Sequence, residues 1–233
     1  MVSWELITIY HQYGLLIWTG STFLSLLCRS YLYRPECVAC PYVHITSWLA
    51  GHIRAFHVVI RTLSQLAGGS VFFRFTCSVW DLHLTTIHVG RAQLMSYGEC
   101  FSWLAVPSWI GFMIESFATL ISCLVANFLF DFRLFPNLSI HRRILMNSTL
   151  TISLVLMAFY RTGGFLQPLL AYARTFGCRG VLQEVTPLHH LFVYWVGPTL
   201  GAIISFYLAP LVKRKLFGTK MEKKPYEVTG LDH

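Results

Sequence analysis

The side chains able to do chemistry in this sequence are few, and their types and spacing exclude most reactions. Seven cysteines (Cys28, Cys37, Cys40, Cys77, Cys100, Cys123 and Cys178) are scattered along the chain, and the number is odd. That is not a disulfide framework. Cys37-Val-Ala-Cys40 has the C-x-x-C spacing of zinc and redox sites, but no second pair and no His–x–His cluster completes a ligand set. No metal or cofactor is therefore expected. The ten histidines fall mostly at the ends of apolar runs or between them. His44, His52 and His57 could gate by protonation, although nothing in their spacing demands it. No nucleophile–base arrangement and no phosphate loop is visible, so enzyme activity is not expected. Glu115 is the one carboxylate deep in an apolar run. A charge there is costly and marks either function or a structural bond to loop backbone. No second buried acid accompanies it to relay a proton.

The remaining chemistry is that of exposed backbone. Gly163-Gly164-Phe165-Leu166-Gln167-Pro168-Leu169-Leu170-Ala171 lies between two long apolar runs. A glycine pair followed by proline cannot continue a helix, but proline at a first helical position can open a new one. Non-helical backbone at membrane depth survives only where it is buried in protein or lines a watery cavity. The stretch therefore reads as a re-entrant loop and half-helix lining a pore, or else as an ordinary surface loop between two helices.

The elements that must position this stretch follow from composition. The chain has 233 residues, 55% hydrophobic and 12% charged, with a mean hydropathy of +0.56. Soluble domains carry roughly 25% charged residues, so the chain reads as an integral membrane protein. The formal net charge of +8 comes from Lys and Arg spread between apolar runs, which read as topology signals and lipid contacts, with no nucleic-acid partner. Five spans are predicted: 6–28, 56–80, 110–130, 144–160 and 190–211. Between them lie an irregular segment at 34–54 with a short helix at 43–50, and loops at 81–107, 132–143 and 175–187. A polar tail at 216–233 closes the chain. The segment 1–5 lacks a basic n-region, so no cleaved signal peptide is expected. Arg29, Arg34, Arg54, the 133–143 loop and the C-terminal Lys/Arg cluster fall on one side of this topology. That side is expected to be cytoplasmic, in an intracellular (endoplasmic reticulum) or plasma membrane. Asn137-Leu138-Ser139 is a glycosylation acceptor on the same side, so a glycan there would reverse the orientation.

A repeat is visible. Cys40-Pro41 precedes Gly69 by nearly the interval that separates Gln167-Pro168 from Gly197, 28 residues from Pro41 and 29 from Pro168. Each unit reads as span, broken half-helix, span. Paired broken segments in halves of opposite topology point to a transport pathway between them. Gly197-x-x-x-Gly201 suits a close helix crossing.

These stretches resemble the aquaporin family. Phe192-Val-Tyr-Trp-Val-Gly-Pro-Thr-Leu-Gly-Ala202 is similar to that family's last-helix signature, and Gly163 to Ala171 resembles the second Asn-Pro-Ala loop. Leu63 to Gly69 resembles the third helix, and Glu115 sits where the family keeps a carboxylate in its fourth. Cys37-Val-Ala-Cys-Pro-Tyr42 resembles the first motif of the divergent superaquaporin branch. The resemblance covers about 10–215 and implies an all-α integral membrane fold. It implies about five transmembrane helices and two re-entrant half-helices in half-repeats 6–80 and 110–211, with a polar cytoplasmic tail at 216–233.

It also implies a water channel that passes small neutral solutes such as glycerol or hydrogen peroxide and assembles as a homotetramer in the bilayer. Pore motif one would be Cys40, Pro41 and Tyr42, and motif two Gln167, Pro168 and Leu169. Leu170, Gly164 and Val155 would form the constriction, and Glu115, Gly197 and Gly201 would be structural. The chain departs from the family in three ways. The family's first helix has no counterpart, both signature asparagines are replaced (by Cys40 and Gln167), and Leu170 stands where conducting members often keep arginine. The alternative is a truncated or non-conducting aquaporin-fold protein acting through assembly with full-length subunits.

Overall fold

The computed structural model describes residues 2–32, 40–96, 101–176, 178–180 and 186–217. Arg34, Pro35, Cys37 of the first motif, Cys100 and the tail from 218 lie outside the described residues. Five long helices dominate. They are α1 (Val2–Leu32), α3 (Ala55–Asp81), α5 (Ser108–Leu129), α6 (Ile140–Thr162) and α9 (Gly197–Phe217). The last is led in by a short helix α8 (Pro187–Leu191) and a π-turn (Phe192–Val196). Two short helices, α2 (Pro41–Leu49) and α7 (Pro168–Thr175), occupy the breaks read from the sequence.

Three of these segments are long and apolar enough to cross a membrane, namely Ser108–Leu129, Ile140–Thr162 and Pro187–Phe217. At 1.5 Å per residue α5 and α6 extend about 33 Å and about 35 Å, against a hydrocarbon core of about 30 Å. Hydroxyl groups inside the long helices pair with their own backbone. Thr19, Thr22 and Ser25 of α1 donate to carbonyls four residues back, as do Thr149, Thr151 and Ser153 of α6. A helix so arranged presents few unpaired polar groups to lipid. Gly14, at φ 77, breaks α1 into two helical pieces.

The structure corrects the loop expected at 81–107, which contains an eleven-residue helix, α4 (Thr86–Ser96). It also contains β1 (Phe101–Ser102), which pairs in parallel with β2 (Arg179–Gly180). This pairing is the one departure from all-α structure among the described residues. The cysteine pattern is corrected as well, since Cys178 is disulfide-bonded.

The π-turn has a local cause. Pro198 has no N–H to continue the i→i−4 ladder, and the preceding Gly197 N–H reaches back five residues to the Phe192 carbonyl. Packing is crosswise between the two halves. α2 rests on α3 and on α9, and α7 rests on α3 and on the π-turn. The tightest crossing is α5 on α9. Gly197 faces the Phe112 carbonyl, where a Cβ would sit 3.1 Å away, and a Cβ on Gly201 would collide with the Ser116 carbonyl.

Candidate pore site

The two half-helices open in the same way. Cys40 precedes α2 with φ −143°, ψ 115°, and Gln167 precedes α7 with φ −140°, ψ 116°. Each is followed by proline at the first helical position, and neither makes a side-chain cap hydrogen bond. The ring of Pro41 or Pro168 sets the helical φ and removes one N–H. The next N–H groups of each short helix stay at its positive dipole end, equivalent to roughly half an elementary charge. Such an end favours an oxygen lone pair and opposes cations and protons.

The loop entering α7 is held by Glu115. Its Oε1 accepts the Thr162 hydroxyl at 2.6 Å and the Phe165 N–H at 3.3 Å, and its Oε2 accepts the Leu166 N–H at 2.8 Å. Glu115 and Thr162 are both fully buried. The Thr162 hydroxyl also accepts the Gly164 N–H at 3.3 Å, and the Thr162 carbonyl accepts Tyr194 Oη–H at 2.8 Å. One carboxylate on α5 thus ties the end of α6, the loop and the π-turn into a single network.

The loop backbone needs that support. Gly163 (φ 83) closes α6 in the left-handed conformation. Gly164 (φ 59) lies against α6, with the Val155 carbonyl 2.5 Å from where a Cβ would stand. Leu166, at φ 50, holds a conformation that costs a branched side chain energy. Its N–H is the one bonded to Glu115 Oε2.

The far end of α7 is held by His190, which is buried. Thr175 Oγ1 donates to the Ala171 carbonyl at 2.9 Å, so its lone pair accepts from His190 Nε2 at 3.0 Å. Nε2 therefore carries the proton of the neutral ring and also faces the Ala171 carbonyl at 3.3 Å. His190 escaped the sequence reading because it lies before the last-helix signature and carries no motif of its own, whereas Tyr194 lies within that signature but had no role assigned. On α2 the matching tie is His44, whose Nε2 lies 2.8 Å from Gln65 Nε2 on α3.

The structure brings Gly164 and Val155 into contact. Leu170 packs elsewhere, against the cluster of Leu104, Phe165, Ala171, Val193 and Tyr194. Leu169 approaches Gly69 of α3, its Cδ1 being 3.5 Å from where a Cβ would stand. Cys40 and Pro41 are buried, and Tyr42 lines a cavity between α2, α5 and α9. Among the described residues no group of three or more metal-binding side chains occurs.

No family model matches the sequence. The chain is 27% identical over 169 residues to Aquaporin-11 of Milnesium tardigradum, an alignment covering 72% of this chain and 56% of the relative. That likeness is to one divergent aquaporin. The predominantly helical architecture with membrane-length apolar helices fits that likeness. The chain spans a little over half the length of that relative.

Proposed function

We propose that this aquaporin-like chain provides a passive pathway for water and small neutral solutes such as glycerol or hydrogen peroxide. One observation carries the reading. Two proline-opened half-helices share N-cap torsions within a few degrees, and their first N–H groups are left uncapped by side chains. Cys40 and Gln167 cap their own helices poorly, and neither offers the compact amide of asparagine. Orientation of a passing water would then rest mainly on backbone N–H groups. A constriction with Leu170 in place of arginine, and so without charge, would admit larger neutral molecules than an arginine-lined one.

The cytoplasmic side is assigned to the C-terminus and the 133–143 loop. The disulfide at Cys178 supports this reading, because such bonds persist in oxidising compartments and this topology would put Cys178 on the opposite side. Assembly as a homotetramer is part of the same reading.

The test is stopped-flow shrinkage of liposomes containing the purified chain. Permeability above that of empty vesicles, with glycerol or peroxide entry, is expected. Permeability equal to empty vesicles would leave a non-conducting aquaporin-fold protein that acts by assembling with full-length subunits.

A further inference from the structure

The cavity beside α2 takes in Tyr42 of the first motif and runs from there along α9 to Lys213. It encloses about 750 Å³ between α2, α5, α9 and the start of the loop after α5. It is a slot aligned with the helices. On α9 its lining runs from Ala202 to Lys213, and eleven residues at 1.5 Å span about 16 Å. One leaflet of a bilayer's hydrocarbon core is about 15 Å, half of roughly 30 Å.

The deep walls are apolar in effect. Val43, Ala126, Ala202 and Phe206 line them together with Tyr42 and Cys123. Of the polar side chains there, two are turned inward to backbone: Thr46 donates to the Val43 carbonyl at 3.1 Å, and the Asn127 amide donates to the Cys123 carbonyl at 2.9 Å. Water entering the slot would find few partners. A methylene chain would lose nothing by replacing it.

The shallow end is charged. Lys213 Nζ lies 2.7 Å from Asp131 Oδ2, and exposed Arg133 lines the same rim. Two cations against one carboxylate leave that rim positive, and Arg214 and Lys215 continue it along α9. The rim is fixed in place. Arg143 is fully buried and donates to the carbonyls of Leu129, Asp131, Phe135 and Leu138, with its guanidinium 4.3 Å above the Phe132 ring.

We propose that this slot binds an anionic phospholipid of the adjacent leaflet, one acyl chain lying between α2, α5 and α9 and the phosphate resting at Arg133 and Lys213. Depth, apolar lining and a positive rim at the interface are the three features such a lipid needs. A guanidinium can engage two phosphate oxygens at once, which favours Arg133 as the selecting residue.

The full chain in detergent can be titrated with dioleoylphosphatidylglycerol or dioleoylphosphatidylcholine and followed by thermal unfolding. Phosphatidylglycerol should raise Tm by on the order of 5 °C near saturation, and phosphatidylcholine by much less. Arg133→Gln should remove the difference between the two lipids. Val43→Phe, which blocks the slot from α2, should remove the shift itself, and Ala126→Phe blocks it from α5 should the first variant not fold. Phosphatidylglycerol carrying a photoreactive acyl chain should label the α9 segment 202–206. Equal stabilisation by both lipids, an undiminished shift in a blocked variant, or labelling confined to α1 and α3 would each overturn the assignment.

Discussion

Glu115 shows how one side chain can fix a stretch of irregular backbone inside an apolar fold. It accepts three hydrogen bonds, two of them from consecutive loop N–H groups. Glu115→Ala would strand those donors in a dry site at about 1–3 kcal/mol for each. Thermal unfolding should show a loss larger than that of Glu115→Gln, which keeps one acceptor oxygen. Gly164 is fixed by space and torsion together. An alanine there meets the Val155 carbonyl and takes φ 59, so Gly164→Ala should lower stability by about 2–5 kcal/mol, the sum of overpacking and left-handed strain. At Leu170 the expected effect is on selectivity. Leu170→Arg should reduce glycerol entry relative to water in liposomes, and an unchanged ratio would remove Leu170 from the constriction.

At the scale of elements, glycines that read alike in the sequence separate by their surroundings. Gly201 crosses α5 so closely that a Cβ would strike the Ser116 carbonyl, whereas nothing lies within 4 Å of a Cβ on Gly68 of α3. Gly201→Ala should therefore be strongly destabilising. Gly68→Ala should add about 0.8–1 kcal/mol through helix propensity alone. Denaturation of the two single variants side by side checks the contrast. The half-helix α7 is pinned at its last turn by His190 through Thr175 and Ala171. His190→Ala removes both bonds, while His190→Gln places an amide N–H near the Nε2 position. The glutamine variant should retain more of the native stability.

At the scale of the molecule, Asp131 and Lys213 join the end of α5 to the end of α9 across 82 residues of sequence. Burial raises the Asp131 carboxyl, but the hydrogen bond from Lys213, the Arg133 N–H and the nearby cations outweigh it and hold the group below its usual 3.8. A carboxylate depressed in the fold contributes stability above its unfolded value and loses it as pH falls through the folded one. The tether should thus be constant from pH 5 to 8 and be lost progressively as pH falls below about 4. Asp131→Asn should be less stable than the native chain at pH 7 and match it near pH 2. The pair lies near the surface, so the difference will be small.

Composition and spacing alone were enough to read a membrane chain with two proline-opened breaks at related positions, because hydropathy, helix-breaking residues and interval are local properties. Pro41, Pro168 and the left-handed Gly163 sit where those rules put them. Helix α4, the β1–β2 pairing and the disulfide at Cys178 were not legible. Each depends on segments distant in sequence or on a weakly apolar stretch with no start or stop signal. The same limit applied to the candidate site. Glu115 could be singled out as a lone buried acid, but its partners at 162, 165 and 166 are set by how α5 crosses the end of α6. His190, Arg143 and the slot beside α2 exist only once helices from both halves meet. Sequence by itself determined where the chain breaks within the membrane. Tertiary packing decided which groups hold those breaks, because a buried donor or acceptor takes its partner from whichever element the fold places against it.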